Sequence, residues 1–151
     1  MKKMKLNTML LVFLFASCAS NGSLENKHQA VKSPEGFTSP NQKIDVELLV
    51  QKTESSSPEA AFTRGVFRPG AIVPQHSHEV SDEYITFEKG EGEITIGSDT
   101  YFVKDGDSFY IPKGTQHSYV NRGTKEAKFY QVYSPAGPEQ RFKKWSKLKG
   151  L

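Results

Sequence analysis

The chain has 151 residues, of which 36% are hydrophobic and 25% charged; that suits one domain with a modest core and is too apolar for wholesale disorder. Its formal charge is +3, but removing Lys2, Lys3 and Lys5 from the 20 Lys and Arg leaves 17 against 17 Asp and Glu, which excludes the concentrated basic field of a nucleic-acid binder. A single cysteine excludes an internal disulfide framework.

Residues 1–17 are expected to be a signal peptide. Three lysines precede a short apolar run from Met9 to Ala16, followed by small residues, and that run is too short to span a bilayer. Phe15-Ala16-Ser17-Cys18 resembles a lipobox, with Phe15 where Leu is usual. The resemblance implies cleavage before Cys18 and acylation of its thiol, giving a membrane-anchored lipoprotein of a bacterial cell envelope without a transmembrane helix. Plain secretion or a periplasmic protein is the alternative. Residues 18–43 then form the lipidated cysteine and a polar linker rich in Ser, Asn and Pro, the composition of a flexible tether. His28, within it, reads as a solvated side chain.

A barrel domain is expected over 44–136. Strands are predicted at Ile44–Gln51, Phe62–Arg68, Glu83–Glu88, Glu93–Ile96, Thr100–Val103, Ser108–Ile111, Gln116–Val120 and Ala127–Tyr133, each closed by Gly, Pro, Asn or Ser. Lys89-Gly90-Glu91-Gly92 between two of these runs predicts a hairpin. No convincing helical period occurs between Ile44 and Ser134, so the class is all-β, a sandwich or small barrel. The tail, 137–151, is basic and predicted helical: Pro138-Glu139 can open a helix, and Phe142, Trp145 and Leu148 recur every third residue. Two readings of it stand: a cationic membrane-surface helix, or a short helix that lays Phe142 and Trp145 on the barrel while its lysines face water.

Three of the four histidines fall in two motifs. The first is Gly70-x5-His76-x-His78-x4-Glu83-x6-Gly90; the second is Gly106-x5-Pro112-x-Gly114-x2-His117-x3-Asn121. In an extended segment His76 and His78 leave the same face, Glu83 opens the next strand beside them, and a Pro-x-Gly turn presents His117. Three imidazoles and one carboxylate are a donor set for a divalent transition metal. Parity places Ile85 and Phe87 on the face of Glu83, Tyr119 on that of His117, and Gln131 with Tyr133 on one face of the last strand. Asp82 is expected to face water. Arg64 is a candidate for binding an anionic substrate if it points inward, and a surface residue otherwise.

Both motifs resemble, in every fixed residue and spacing, the two signature motifs of the cupin superfamily. The resemblance covers roughly Ile44 to Ser134. It implies a double-stranded β-helix, or jelly-roll barrel, with metal ligands His76, His78, Glu83 and His117, and a monocupin, a type that is commonly a homodimer. The metal is expected to be Fe, Mn, Ni, Cu or Zn. The functional expectation is a metal-dependent enzyme acting on a small oxygenated substrate, of dioxygenase, decarboxylase or isomerase type. In it Glu83 serves as ligand or base, and Tyr119 contacts the substrate through its hydroxyl. The alternative is a surface lipoprotein that binds a metal or small ligand without turnover.

Overall fold

The structure, a computed structural model, describes residues 32–54 and 57–149; the signal segment, Cys18 and His28 lie outside the described residues. The described chain is all-β with one short 3-10 helix. Its strands are β1 (Glu35–Thr38), β2 (Ile44–Val50), β3 (Ala61–Phe67), β4 (Ile72–His76), β5 (Asp82–Lys89), β6 (Gly92–Ile96), β7 (Asp99–Val103), β8 (Ser108–Ile111), β9 (His117–Val120), β10 (Ala127–Ser134) and β11 (Ser146–Lys147). A seven-stranded sheet runs β11-β1-β2-β3-β10-β5-β8, and a four-stranded sheet runs β4-β9-β6-β7. This is the all-β sandwich or barrel expected from the turn spacing, in the jelly-roll form that the cupin resemblance implies.

Alternation decides which face is interior. On β5, Glu83, Ile85 and Phe87 are buried while Tyr84, Thr86 and Glu88 are exposed; on β10, Ala127, Phe129, Gln131 and Tyr133 point in. The period of two follows from the pleat. Between the sheets Phe67 stacks on Phe129 at 4.2 Å and packs tilted against Tyr119 at 4.5 Å, an aromatic floor beneath the site. Each such pair adds about 0.5–1.5 kcal/mol beyond its burial.

Two sequence expectations are corrected. The linker over 18–43 is not flexible throughout: Glu35–Thr38 forms β1, which pairs antiparallel with β2 and buries Phe37 to 2% exposure. Ser39 closes the turn to β2, its hydroxyl accepting from the Ile44 and Lys43 amides. A four-residue strand with one buried aromatic is too short to show a period. The second correction concerns Lys89-Gly90-Glu91-Gly92, which does not form a hairpin. β5 and β6 lie in different sheets, and the segment crosses from one to the other. Gly90 has φ +113°, and a Cβ there would sit 2.4 Å from the Ala127 Cα, so the glycine serves close passage over β10. The hairpin is instead β6–β7, where Ile96 faces Asp99 across the two-residue loop Gly97-Ser98 and Gly97 takes φ +60°.

The tail lies on the barrel. A 3-10 helix spans Pro138–Lys144, whose three residues per turn match the spacing of Phe142 and Trp145. Phe142 is buried and Trp145 packs against the core, while Lys143, Lys144 and Lys147 are exposed. Glu139 is fully buried; its carboxylate accepts from the Lys52 amide at 2.9 Å, the Gly137 amide at 2.6 Å and the Gln140 side chain at 2.8 Å. β11 then pairs with β1. No helix among the described residues is long and apolar enough to cross a membrane.

Candidate metal centre

The four candidate ligands come from both sheets and one loop. β4 and β9 are neighbours, and their register sets His76 directly opposite His117, with ring centroids 4.2 Å apart. His78 follows β4 in a loop pinned by the Pro112-Lys113-Gly114 turn, because the Gly114 amide donates to the His78 carbonyl at 2.8 Å. Asp82, intermediate in exposure, holds the same turn by accepting from the Lys113 amide at 2.9 Å. Glu83 enters from β5 in the larger sheet. One ligand atom from each of His76, His78, Glu83 and His117 lies within 4.8 Å of the others.

Hydrogen bonding fixes which atoms face the centre. His76 Nδ1 lies 2.9 Å from the Pro74 carbonyl and His117 Nδ1 lies 2.9 Å from the Thr115 carbonyl. A carbonyl only accepts, so each Nδ1 carries a proton and each neutral imidazole turns an Nε2 lone pair inward. His76 Nε2 is buried without a hydrogen-bond partner, and His117 Nε2 approaches Glu83 Oε2 at 3.2 Å outside hydrogen-bonding geometry. His78 Nε2 lies 3.0 Å from the same carboxylate oxygen and 3.1 Å from Nη1 of Arg141. A carboxylate only accepts and an arginine only donates, so the position of the His78 ring proton decides which of the two this nitrogen serves.

Charge reinforces this arrangement. Burial pushes the His76 pKa down to about 4, helped by the nearby His117 and Arg141 charges, so His76 stays a neutral donor at neutral pH. Burial opposes ionisation of Glu83, but the adjacent His117 and His78 imidazoles and the Gln131 amide outweigh it and hold the carboxyl well below its ordinary range. Burial would lower His117, yet the Glu83 carboxylate overrides it and raises its pKa, so a proton competes with any cation for His117. Converging lone pairs, an anionic oxygen and an unpartnered buried nitrogen fit a divalent metal held by three imidazoles and a carboxylate. Gln131 Nε2 donates to the second oxygen of Glu83, orienting the carboxylate from behind.

His76, Glu83 and His117 open into a cavity of 510 Å³ whose walls also include Val46, Phe67, Ile85, Ile94, Phe129 and Trp145, within the size range of small-molecule sites. Ile85 and Phe87 are interior as parity predicts, and so are Tyr119, Gln131 and Tyr133. The Tyr119 hydroxyl donates to the Glu91 carbonyl at 3.1 Å, while its ring packs tilted against Phe67. Arg64 pairs with Glu47 at 2.8 Å on the outer surface, so it does not reach the cavity. Arg141, read from sequence only as part of a basic tail, lines the cavity instead. A lone Arg among lysines carries no directional signal; only the spacing of its neighbour Phe142 hints that this turn faces inward.

The Cupin domain family model matches residues 64–133, the segment that contains all four ligands. An uncharacterized protein of Aquifex aeolicus is 32% identical over 108 residues, covering 65% of this chain and 88% of that protein. Among solved structures, an RmlC-like cupin from Shewanella frigidimarina superposes with TM-score 0.61 at 18% identity, covering 76% of this chain and 96% of the other, a likeness of fold. A predicted oxalate decarboxylase from Thermotoga maritima gives TM-score 0.54 at 25% identity, covering 68% of this chain and 92% of the other.

Proposed function

The chain belongs to the cupin superfamily, and on that premise we propose that it is a metal-dependent enzyme acting on a small oxygenated substrate, by dioxygenase, decarboxylase or isomerase chemistry. One observation carries this reading: three imidazole nitrogens and one carboxylate oxygen converge within 4.8 Å of one another, and His76, Glu83 and His117 line a cavity. The similarity to a predicted oxalate decarboxylase supports a substrate that presents oxygen donors. A divalent metal bound by His76, His78, Glu83 and His117 supplies Lewis-acid polarisation of substrate oxygens and, if redox-active, electron transfer.

The chain's own residues do the rest. Backbone carbonyls of Pro74 and Thr115 keep the Nε2 atoms of His76 and His117 aimed inward, and Gln131 keeps the Glu83 carboxylate from rotating. The walls are mostly aliphatic and aromatic, a low-dielectric surround that strengthens electrostatic interactions among the polar residues. The Tyr119 hydroxyl donates to the Glu91 carbonyl, so it can donate to a substrate only by releasing Glu91, while its oxygen can still accept. Export as a Cys18-anchored lipoprotein is proposed from the sequence of residues 1–18, and metabolic labelling with a fatty acid, lost in Cys18→Ala, tests it.

Elemental analysis of the purified protein tests the centre. Near-stoichiometric Fe, Mn, Ni, Cu or Zn is expected, and His76→Ala or His117→Ala should reduce it at least tenfold, in line with the loss of one ligand of four. A wild-type protein that takes up no metal even after reloading defeats the reading. Saturable, metal-dependent ligand binding without product would replace the enzyme with a binding protein at the same centre.

A further inference from the structure

Of the four arginines in the sequence, three are paired with carboxylates: Arg64 with Glu47, Arg68 with Asp45 and Glu126, and Arg122 with Glu93. Arg141 is the fourth. Among the described residues it has no carboxylate within ion-pair distance. Its guanidinium donates from Nη2 to the Tyr133 hydroxyl at 2.9 Å and faces His78 Nε2 at 3.1 Å. Its remaining contacts are the faces of Phe142 at 4.7 Å and Tyr133 at 5.5 Å.

These contacts leave an inconsistency that a ligand resolves. A guanidinium presents five donors in a planar fork that matches a carboxylate bidentately, and here at most two meet an acceptor. A partly buried cation without a counterion is costly, and stacking on two aromatic rings returns only part of that cost. The His78 nitrogen it faces is also a metal-ligand candidate, so occupation of the centre would leave that guanidinium donor without a partner. Arg141 would then hold a freed donor at the cavity wall, beside Tyr133. The other cavity residues settle the rest of the ligand: apart from the metal-ligand candidates, Gln131 and a few small polar groups, the lining is aliphatic and aromatic. A two-carbon dianion such as oxalate would leave most of 510 Å³ unfilled.

We propose that Arg141 is the anion-binding residue of this cavity and that the ligand is an organic acid with an apolar body, its carboxylate on the Arg141 guanidinium and its body against the Phe67, Phe129 and Trp145 walls. The proposal rests on the cupin-site reading above and adds a substrate class to it. Arg141 lies outside the segment 64–133 that matches the Cupin domain, so the selectivity it confers belongs to this chain's own tail.

Calorimetric titration of the full chain, loaded with Zn²⁺, tests it with three probes: phenylacetate, its neutral analogue phenylacetamide, and acetate. Metal content is measured on the same samples. Wild type is compared with Arg141→Gln and with Lys144→Gln, an exposed site on the same helix that changes net charge equally. Wild type should bind phenylacetate more tightly than either other probe. Arg141→Gln should weaken phenylacetate roughly ten- to hundredfold, the worth of a charge-assisted hydrogen bond, and leave phenylacetamide unchanged. Lys144→Gln should alter nothing. Equal phenylacetate affinity in wild type and Arg141→Gln overturns the proposal. So does equal affinity of wild type for the acid and the amide, or for phenylacetate and acetate, or no binding of phenylacetate at all. Should Arg141→Gln fail to fold, the wild-type ranking of the three probes decides. Zinc that is not retained, with the Arg141 effect intact, removes the metal reading and spares this one; zinc retained with no Arg141 effect does the reverse.

Discussion

Gln131 illustrates how much of this centre depends on residues that touch no metal. Its amide fixes one oxygen of Glu83 so that the other faces the His78 and His117 imidazoles. Gln131→Leu should therefore weaken metal binding about ten- to hundredfold, measurable by competition with a chromophoric chelator, while leaving the fold intact. The buried His76 sets a pH dependence in chelator-treated protein. Its folded pKa of about 4 lies below the ordinary 6.5, so between those values the unfolded chain binds the extra proton and stability falls as pH drops from about 6.5 to about 4. The depressed Glu83 adds loss of the same sign at lower pH, while the raised His117 acts oppositely, favouring the fold at low pH and losing that contribution as pH rises. Comparison with His76→Gln isolates the first effect: urea melts at pH 7 and pH 5 should show a larger loss for wild type, and parallel losses would contradict it. At this scale the ligands were legible because fixed spacings between rare residue types carry information. Arg141 was not, since its direction depends on a tail docking that no local pattern announces.

Strands were legible from alternation, their connections less so. Glycines punctuate both the crossover at Gly90 and the hairpin at Gly97, and composition cannot tell a chain that turns back from one that changes sheets. Structure separates them by what lies above each glycine. Gly97→Ala meets open space and pays only for φ +60°, about 1–2 kcal/mol. Gly90→Ala also drives a methyl into the Ala127 backbone and should cost more, about 3 kcal/mol in all. Chemical denaturation of the two variants ranks them, and the reverse order would disprove the crossover geometry. The 3-10 helix depends on Phe142, which is 4% exposed. Phe142→Ala should cost about 3 kcal/mol and, by loosening the turn that carries Arg141, weaken retention of an acidic ligand more than retention of metal.

Over the whole molecule, most strand partners are distant in sequence. β3 pairs with β10 across some sixty intervening residues, and β5 with β10 across nearly forty. Loop closure must precede the contacts that reward it, so refolding is expected in milliseconds to seconds; stopped-flow fluorescence of Trp145 reports it, and microsecond folding would contradict the topology. β11 pairs with β1 alone, so the two flanks of the chain are fastened to each other at one edge of the larger sheet. Ser39, Pro40 and Asn41 from one flank, and Arg141, Phe142 and Trp145 from the other, line the cavity together, whereas every ligand candidate lies between them. The molecule thus separates an engine from its keyhole. Exchange of the paired flanks as a unit would alter which acid is admitted while the chemistry of the centre carried on unchanged.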